Sequence, residues 1–433
     1  MMTRKSLFLH LTWGILAGAA WWLGTQQPVA DDEATRARRI SLTAPAPFAA
    51  EGGGIARGAS RSLTAGTADF TAWLDTWRGA DGRILPERMS AAVLAAVRDH
   101  DQVRGLRNFT HLLEHLTPEN AAAAVLTLKS NAGASDSGVW LELLCAAWGA
   151  KDGENALSTL TDEKDRHTAM SAWAAHDPAA AQVWLNGLAT GHGDNGVAMS
   201  AEKYYFQRSL VAGMARRDPD AAVQYAKTQG ESDRSELARI VAKEVFHRGG
   251  AEAGEWAAGL DDSTMRGAAL EMVARKYMAA VPAEGATWAA ENATAPDMRA
   301  AVGRVADRIA DKDVVAAYTW TQQLPAGPGQ EEAYQQVFSE WARQDPTASS
   351  QELLRMSPGS GRDQAIHSFS RSLVKENPES AIAWAGAISD PQQRLETQID
   401  VARTWHEAAP ADAQPWIAAH LPGEAGARAL QPR

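Results

Sequence analysis

The sequence has only one cysteine among its 433 residues, and this scarcity limits how the protein can be stabilised. A lone Cys145 excludes any disulfide bond within the chain. It lies in a Leu-Glu-Leu-Leu-Cys-Ala stretch, a helical core pattern, so we predict a buried apolar thiol in place of a reactive one. The fold must therefore rely on packing.

The sequence also lacks an excess of positive charge. Its formal net charge is -11, and binding to phosphate backbones requires a basic surface, so we expect no nucleic-acid partner. Runs of β-branched residues are rare and alanine is abundant, which predicts an almost entirely α-helical folded part. With 45% hydrophobic residues and 16 tryptophans, the chain has enough apolar material for a folded region of several hundred residues.

Catalytic signatures are absent. The Gly-x-Ser-x-Gly elbow, the phosphate-binding loop and the dinucleotide fingerprint do not occur in the sequence. Carboxylate pairs at Asp261-Asp262 and Glu331-Glu332 fall at predicted helix junctions, where capping and solvation explain them. We therefore assign no catalytic and no cofactor-binding residues.

One short motif has the form of a metal site. His111, Glu114 and His115 make His-x-x-Glu-His, which resembles inverted zinc peptidases, where two histidines hold zinc and the glutamate activates its water. The leucines around the motif have the spacing of an ordinary amphipathic helix, and no second histidine cluster supplies a third ligand. We expect no metal site here, and zinc binding stays the alternative.

What the sequence does contain is a pattern that recurs every 32 residues between Gly250 and Trp416. The reference column of the pattern is Gly250, Pro282, Val314, Pro346, Pro378 and Pro410. A small residue stands three positions after each, at Ala253, Gly285, Ala317, Ser349, Ala381 and Ala413. Six positions after the column stand Trp256, Trp288, Trp320, Glu352, Trp384 and Trp416. Such a period predicts a right-handed α-solenoid of helix-turn-helix repeats.

Each repeat is predicted to contain two helices. Apolar residues 12, 9, 8 and 5 positions before the column share one face of a first helix, helix A. Before Pro282 these residues are Leu270, Val273, Ala274 and Tyr277. Asp or Asn before a column proline predicts an N-cap, so helix B begins at the column. Its small residue and its tryptophan should form a buried stripe, which Glu352 interrupts and Leu353 restores.

The junction between repeats carries a family resemblance. The string Asp-Pro-x-x-Ala-x-x-Trp from Asp177, and its Asn variant from Asn377, resembles the junction between successive tetratricopeptide repeats (TPR). The resemblance extends from about Trp148 to the C-terminus and implies a TPR-like helical array. The period is 32 residues where the family has 34, and the order of small and large residues before the proline is reversed. We expect a divergent repeat and carry over no peptide-binding residues.

The N-terminal segment is predicted to direct export. Arg4 and Lys5 precede a hydrophobic run over residues 7–24, and acidic residues follow, which leaves the N-terminus inside the cell. The run is longer than a usual signal core, and Trp21 and Trp22 suit an interfacial anchor. We favour an uncleaved membrane anchor over a cleaved signal.

The sequence therefore divides into four predicted parts. Residues 1–24 are the signal or anchor segment, and residues 25–62 are a flexible, disordered linker rich in Ala, Pro and Gly. Residues 63–150 are an irregular helical N-terminal cap, and residues 151–433 are the repeat array.

Two local features depart from the plain repeat. The interval from Pro178 to Pro219 is nine residues longer than the period, and we place the excess in a loop around residues 191–196. An arginine ladder stands 16 positions before the column, at Arg234, Arg266, Arg362 and Arg394. We expect these arginines to pair with acidic residues of the preceding loop.

Two classes of function remain. The first is a non-enzymatic helical-repeat scaffold that mediates protein–protein interaction. It would lie in the cell envelope, anchored in the inner membrane, or be periplasmic or secreted if the N-terminal segment is cleaved. The second is a carbohydrate-active lyase or hydrolase on an α/α toroid, in which tryptophans stack on sugars. We favour the scaffold because the tryptophan column coincides with the predicted buried stripe. Its expected partners are proteins, together with the membrane through an uncleaved N-terminus.

Overall fold

The computed structural model describes residues 72–131, 137–188 and 196–432, and in these ranges the protein is all-helical. No β-strand occurs in them, which confirms the predicted all-α class there. The helices are α1 (Pro86–Val97), α2 (Gln102–Leu113), α3 (Pro118–Ser130), α4 (Ser137–Lys151), α5 (Gly153–Thr159), α6 (Glu163–His176), α7 (Pro178–Gly187), α8 (Gly196–Arg217), α9 (Pro219–Lys227), α10 (Glu231–Phe246), α11 (Gly250–Ala258), α12 (Ser263–Ala280), α13 (Pro282–Glu291), α14 (Arg299–Ala310), α15 (Val314–Gln323), α16 (Pro328–Gln344), α17 (Pro346–Arg355), α18 (Ser360–Leu373), α19 (Pro378–Gly386), α20 (Pro391–Ala408), α21 (Pro410–His420) and α22 (Glu424–Leu430).

The predicted anchor segment and linker lie outside the described residues, as do residues 191–195 of the predicted insertion loop. Among the helices that the structure does describe, none is both long and apolar enough to cross a lipid bilayer.

Long and short helices alternate from α4 to α21. The even-numbered helices are the A helices, and the odd-numbered helices are the B helices. Each A helix packs against the next A helix, and each B helix packs against the helices before and after it. Within the described ranges, extensive contacts join only helices that are close together in the sequence.

The B helices begin where their proline and capping residues predict. Each capping side chain accepts a hydrogen bond from a backbone N–H of the first turn, an otherwise unpaired donor. The predicted capping residues are Asp177, Asp218, Asp345 and Asn377. Asp313 caps α15 in the same way although valine holds the column there.

The buried stripe of the B helices differs from the prediction at one position. The small residues three positions after the column are buried as expected, but the tryptophans six positions after it are only half-buried. The residue seven positions after the column is buried instead, at Ala257, Ala289, Thr321, Leu353, Ala385 and Ile417. A step of four residues overshoots a helical turn by about 40°, whereas a step of three falls short of it by about 60°. The tryptophans therefore lie on the flank of the stripe.

The A helices supply the large core side chains, as predicted. Leu270, Val273 and Tyr277 are buried, and so are Tyr334 and Phe338 two repeats later. A single cluster of buried apolar residues extends from residue 74 to residue 388, so the core continues across the predicted boundary at residue 150. A second cluster, from residue 374 to residue 429, forms the C-terminal core.

The arginine ladder binds mainly backbone carbonyls, so the prediction of acidic partners was wrong. Arg394 donates to the carbonyl of Ile388 at 2.9 Å, and Arg362 donates to that of Leu353 at 3.1 Å. Arg234 likewise donates to the carbonyl of Gln229 at 3.0 Å. These carbonyls lie at or just beyond the ends of B helices, where acceptors lack helical partners and carry negative partial charge.

Two members of this register refine its role. Arg266 does bind a carboxylate, that of Asp297 at 2.7 Å. Asp297, however, lies in the connection between α13 and α14, and the prediction concerned the loop before Arg266. Gln330, which stands 16 positions before Pro346, donates to the carbonyl of Leu324 at 2.9 Å. The neutral amide of Gln330 serves here in place of a guanidinium group, so a positive charge is not essential.

The extra residues after α7 partly lengthen a helix. Helix α8 has 22 residues and already begins at Gly196, where the sequence predicts a loop. Tyr204, Tyr205 and Phe206 therefore belong to an A helix, and their side chains are fixed by helical geometry.

Candidate functional site

An open groove of about 930 Å³ lies on the A helices α4, α6, α8, α10 and α12. Its apolar lining comes from Leu143, Ala146, Ala212, Ile240 and Met272, so each of four helices contributes at least one such side chain. Charged residues surround them. Because every contributing helix is also anchored in the core by its opposite face, the groove has a rigid base.

Two rings stand together in the middle of the groove. The rings of His167 in α6 and Tyr205 in α8 lie 5.7 Å apart, and Phe206 meets the other side of His167 at 5.6 Å. Tyr205 is 45% exposed, a high fraction for a tyrosine on a helix of the core layer. Burial lowers the pKa of His167, which favours the neutral form of the imidazole, and the ring adds a flat surface to the groove.

The charges of the groove separate by sign along the row of helices. The lining from α4, from α6 and from the residue that precedes α6 has three carboxylates and one ammonium group: Glu142, Asp162, Glu163 and Lys164. The lining from α8 and α10 has four cations and two carboxylates: Arg208, Arg216, Arg239, Lys243, Glu236 and Glu244. We call these two sets the acidic end and the basic end.

Ion pairs hold the basic end in place. Arg208 contacts Glu236 at 2.7 Å, and Arg216 contacts the buried carboxylate of Glu244 at 2.8 Å. Arg239 reaches Glu271 at 3.2 Å, and Lys243 is exposed without an ion pair in the described residues. Glu236, Glu244 and Glu271 thus position the three guanidinium groups, and the exposed Lys243 adds a further positive charge.

The His-x-x-Glu-His motif at residues 111–115 lies away from this groove, and its side chains do not have the arrangement of a zinc site. Helix α2 ends at Leu113, so His115 lies beyond it. Arg78 donates from Nη2 to Nε2 of His115 at 2.9 Å, which occupies the lone pair that a metal would need. Burial and the adjacent Arg78 lower the pKa of His115. His111 contacts Glu114 at 3.4 Å. Within the described ranges, no group of three or more His, Cys, Asp or Glu side chains has a geometry able to hold a metal ion.

The remaining residues singled out in the sequence have structural roles. Cys145 is fully buried in α4, and burial raises the pKa of its thiol to about 12. Asp262 caps α12, and Asp261 pairs with Lys227 at 2.7 Å. Glu332 pairs with Arg299 at 2.8 Å. The predictions of a buried thiol at Cys145, a capping carboxylate at Asp262 and a solvated carboxylate at Asp261 are confirmed, whereas Glu332 is partly buried in an ion pair.

The half-buried tryptophans form a second recurring surface on the B helices. Trp184 packs edge-on against Phe206 at 5.2 Å, and Trp384 packs against Phe369 at 5.4 Å. Trp256 donates from its indole nitrogen to Asp220 at 3.3 Å. Each indole covers the core with one part and meets solvent with the other.

Comparison with known proteins adds no relative. No family model matches the chain, and the comparisons with curated proteins and with solved structures return no match.

Sequence reasoning missed the groove because its residues are far apart in the chain. The pattern that locates core residues does not show which polar residues of neighbouring A helices stand side by side. The Tyr-Tyr-Phe run at residues 204–206 was the available signal in the sequence.

Proposed function

We propose that the described chain is an open, right-handed α-solenoid of TPR-like repeats and that it acts as a non-enzymatic scaffold for protein–protein interaction. The groove on the A helices supports this proposal most directly, since a long, open surface with an apolar base and charged rims suits a polypeptide segment. Contacts that join only neighbouring helices support an array that does not close on itself.

The proposal also includes the location of the folded region in the cell envelope. Arg4, Lys5 and the hydrophobic run at residues 7–24 favour a folded region outside the cytoplasm, tethered to the inner membrane or released from it. Protease added to intact spheroplasts should digest the folded region while cytoplasmic markers survive. Full protection of the folded region would contradict export.

A photo-crosslinking experiment tests the scaffold. A photoreactive amino acid replaces Tyr205 in the groove or, as the matched control, Val183, which is 73% exposed on α7 and outside the groove. We expect discrete protein adducts from position 205 in the native cell envelope and none of the same adducts from position 183. Identical adducts from both positions, or none from position 205, would contradict the proposal.

Deleting one repeat tests the open array. Removal of residues 362–393 takes out one period of 32 residues, and in a linear array each repeat depends mainly on its neighbours. Circular dichroism should show helicity lost roughly in proportion to the deleted residues. Wholesale loss of helicity would indicate a closed toroid.

The half-exposed tryptophans keep one alternative open, a carbohydrate-active enzyme on an α/α toroid. Exposed indole faces can stack on sugar rings, and the tryptophan column is less buried than the scaffold prediction assumed. Cleavage of a polysaccharide by the purified protein, lost in Trp256→Ala and Trp288→Ala variants that remain folded, would favour this alternative.

A further inference from the structure

The charge pattern of the groove defines its ligand more narrowly than its shape does. The acidic end and the basic end lie on successive A helices, so the sign of the surface changes once along the row from α4 to α10. The whole chain carries a formal charge of -11. Against that background the basic end, whose four cations outnumber the three carboxylates that pair with its arginines, is a local concentration of positive charge.

We infer that the groove binds an extended polypeptide segment with a basic end, a central apolar side chain and an acidic end. The inference rests on the proposed function and specifies its partner. Basic residues of the segment face Glu142 and Glu163, and its acidic residues face Arg239 and Lys243. The central side chain packs on the rings of Tyr205 and His167.

The dimensions of the helix row set the length of the segment. Packed helices lie about 8 to 10 Å apart, so the three intervals from α4 to α10 cover about 24 to 30 Å. An extended chain advances about 3.3 Å per residue, so about eight or nine residues reach from one charged end to the other. A block of charge at each end of such a segment meets the matching end of the groove.

Fluorescence anisotropy with two synthetic peptides tests the inference on the purified folded protein. The block peptide is Arg-Lys-Arg-Gly-Leu-Gly-Glu-Asp-Glu, and the control peptide contains the same residues with the two signs interleaved. At low ionic strength we expect the block peptide to bind about tenfold more tightly, because only its charges match both ends together. Equal binding of the two peptides would overturn the inference.

Charge-reversal variants test where the peptide binds. Glu142→Lys and Lys243→Glu change exposed side chains, one at each end, and each should weaken block-peptide binding about fivefold through the loss of one favourable charge pair. The matched controls are Glu255→Lys and Lys312→Glu, which change exposed residues outside the groove and should leave binding unchanged. Circular dichroism and urea unfolding check that each variant is folded.

The outcomes separate this inference from the proposed function. Weaker binding in the groove variants alone supports the two-sign ligand. Equal effects in groove and control variants overturn it, and so does tight binding of a peptide that carries only one sign of charge. If either of these two results overturns the inference but crosslinks from position 205 persist, the groove still binds a protein, and only the assigned charge pattern is wrong.

Discussion

Two junctions between neighbouring B helices solve the same packing problem with opposite residues. Between α11 and α13, Gly254 faces Trp288, and a Cβ atom on the glycine would lie 2.7 Å from the indole nitrogen. Between α15 and α17, Tyr318 faces Glu352, and the tyrosine hydroxyl donates to Oε1 of the glutamate at 3.0 Å. In both junctions the partners are 34 residues apart, from four positions after one column to six positions after the next.

The difference explains why Glu352 interrupts the tryptophan column. Where the earlier helix presents glycine, the later helix supplies the large ring. Where the earlier helix presents Tyr318, that ring already lies 5.7 Å from Phe338 and 5.5 Å from Trp341, and the facing residue is an acceptor for its hydroxyl. We interpret each junction as one space that the facing pair fills together, with a glycine beside the large Trp288 and a smaller glutamate beside the large Tyr318.

The largest expected effect tests what supports the second junction. Leu353 is fully buried, so Leu353→Ala should lower the free energy of unfolding by about 2 to 5 kcal/mol through lost burial and the resulting cavity. Leu354→Ala is the control, since Leu354 is 71% exposed and its loss should change stability by less than about 0.5 kcal/mol. Urea unfolding measures both. Equal costs would show that the inward position of α17 is misassigned.

The next prediction replaces the residues of the first junction with those of the second. Gly254→Tyr should destabilise the protein by about 1 to 3 kcal/mol because the ring has no room beside Trp288. Adding Trp288→Glu should recover part of this loss, with a favourable coupling of about 1 kcal/mol or more in a double-mutant cycle. Gly254→Tyr combined with Trp320→Glu is the matched control and should show no coupling. Strict additivity in the first pair would refute the shared-volume interpretation.

A smaller effect is expected from the hydroxyl of the second junction. Tyr318→Phe keeps the ring and removes the hydrogen bond to Glu352, which should cost about 1 kcal/mol. Burial, and then the hydrogen bond to Glu352 and its charge, raise the pKa of Tyr318. The folded state therefore favours the neutral phenol, and this contribution is fully present below pH of about 10 and is lost as the pH rises above that value.

The pH dependence supplies the measurement for this variant. Between pH 8 and about 11, the free energy of unfolding of the wild type should fall more steeply than that of Tyr318→Phe. Buried tyrosines that do not contact Tyr318, such as Tyr225, contribute equally to both proteins and cancel in the comparison. Parallel curves would mean that Tyr318 does not differ in proton affinity between the folded and unfolded states.

Local patterns in the sequence predicted what depends on local geometry. The N-caps at Asp177 and Asn377, the buried small residues at Ala253 and Ala381 and the apolar face of α12 follow from helical periodicity and backbone hydrogen bonding alone. These features are fixed within one repeat, so a single sequence is enough to find them.

Features that depend on two repeats were predicted less well. The pairing of Tyr318 with Glu352 requires knowing which residues of neighbouring B helices meet. The groove belongs to the same class, since Tyr205 and His167 come from different A helices. A period of 32 residues indicates that helices recur but not how far each is rotated toward its neighbour.

The smallest expected effect separates charge from hydrogen bonding at the second junction. Glu352→Gln keeps a carbonyl oxygen that can accept from Tyr318, but it removes the carboxylate charge and the exposed ion pair with Arg355 at 3.1 Å. A neutral acceptor forms a weaker bond, and an exposed ion pair contributes little, so urea unfolding at pH 7 should show a loss of about 0.5 kcal/mol. The alkaline loss of stability should become shallower than in the wild type, because the charge that helps to raise the pKa of Tyr318 is gone.

A variant as destabilised as Tyr318→Phe would mean that the hydrogen bond itself is lost. A variant with the wild-type alkaline slope would mean that burial alone sets the proton affinity of the tyrosine, and Glu352 would then serve only to fill the place that a tryptophan occupies in the other junctions.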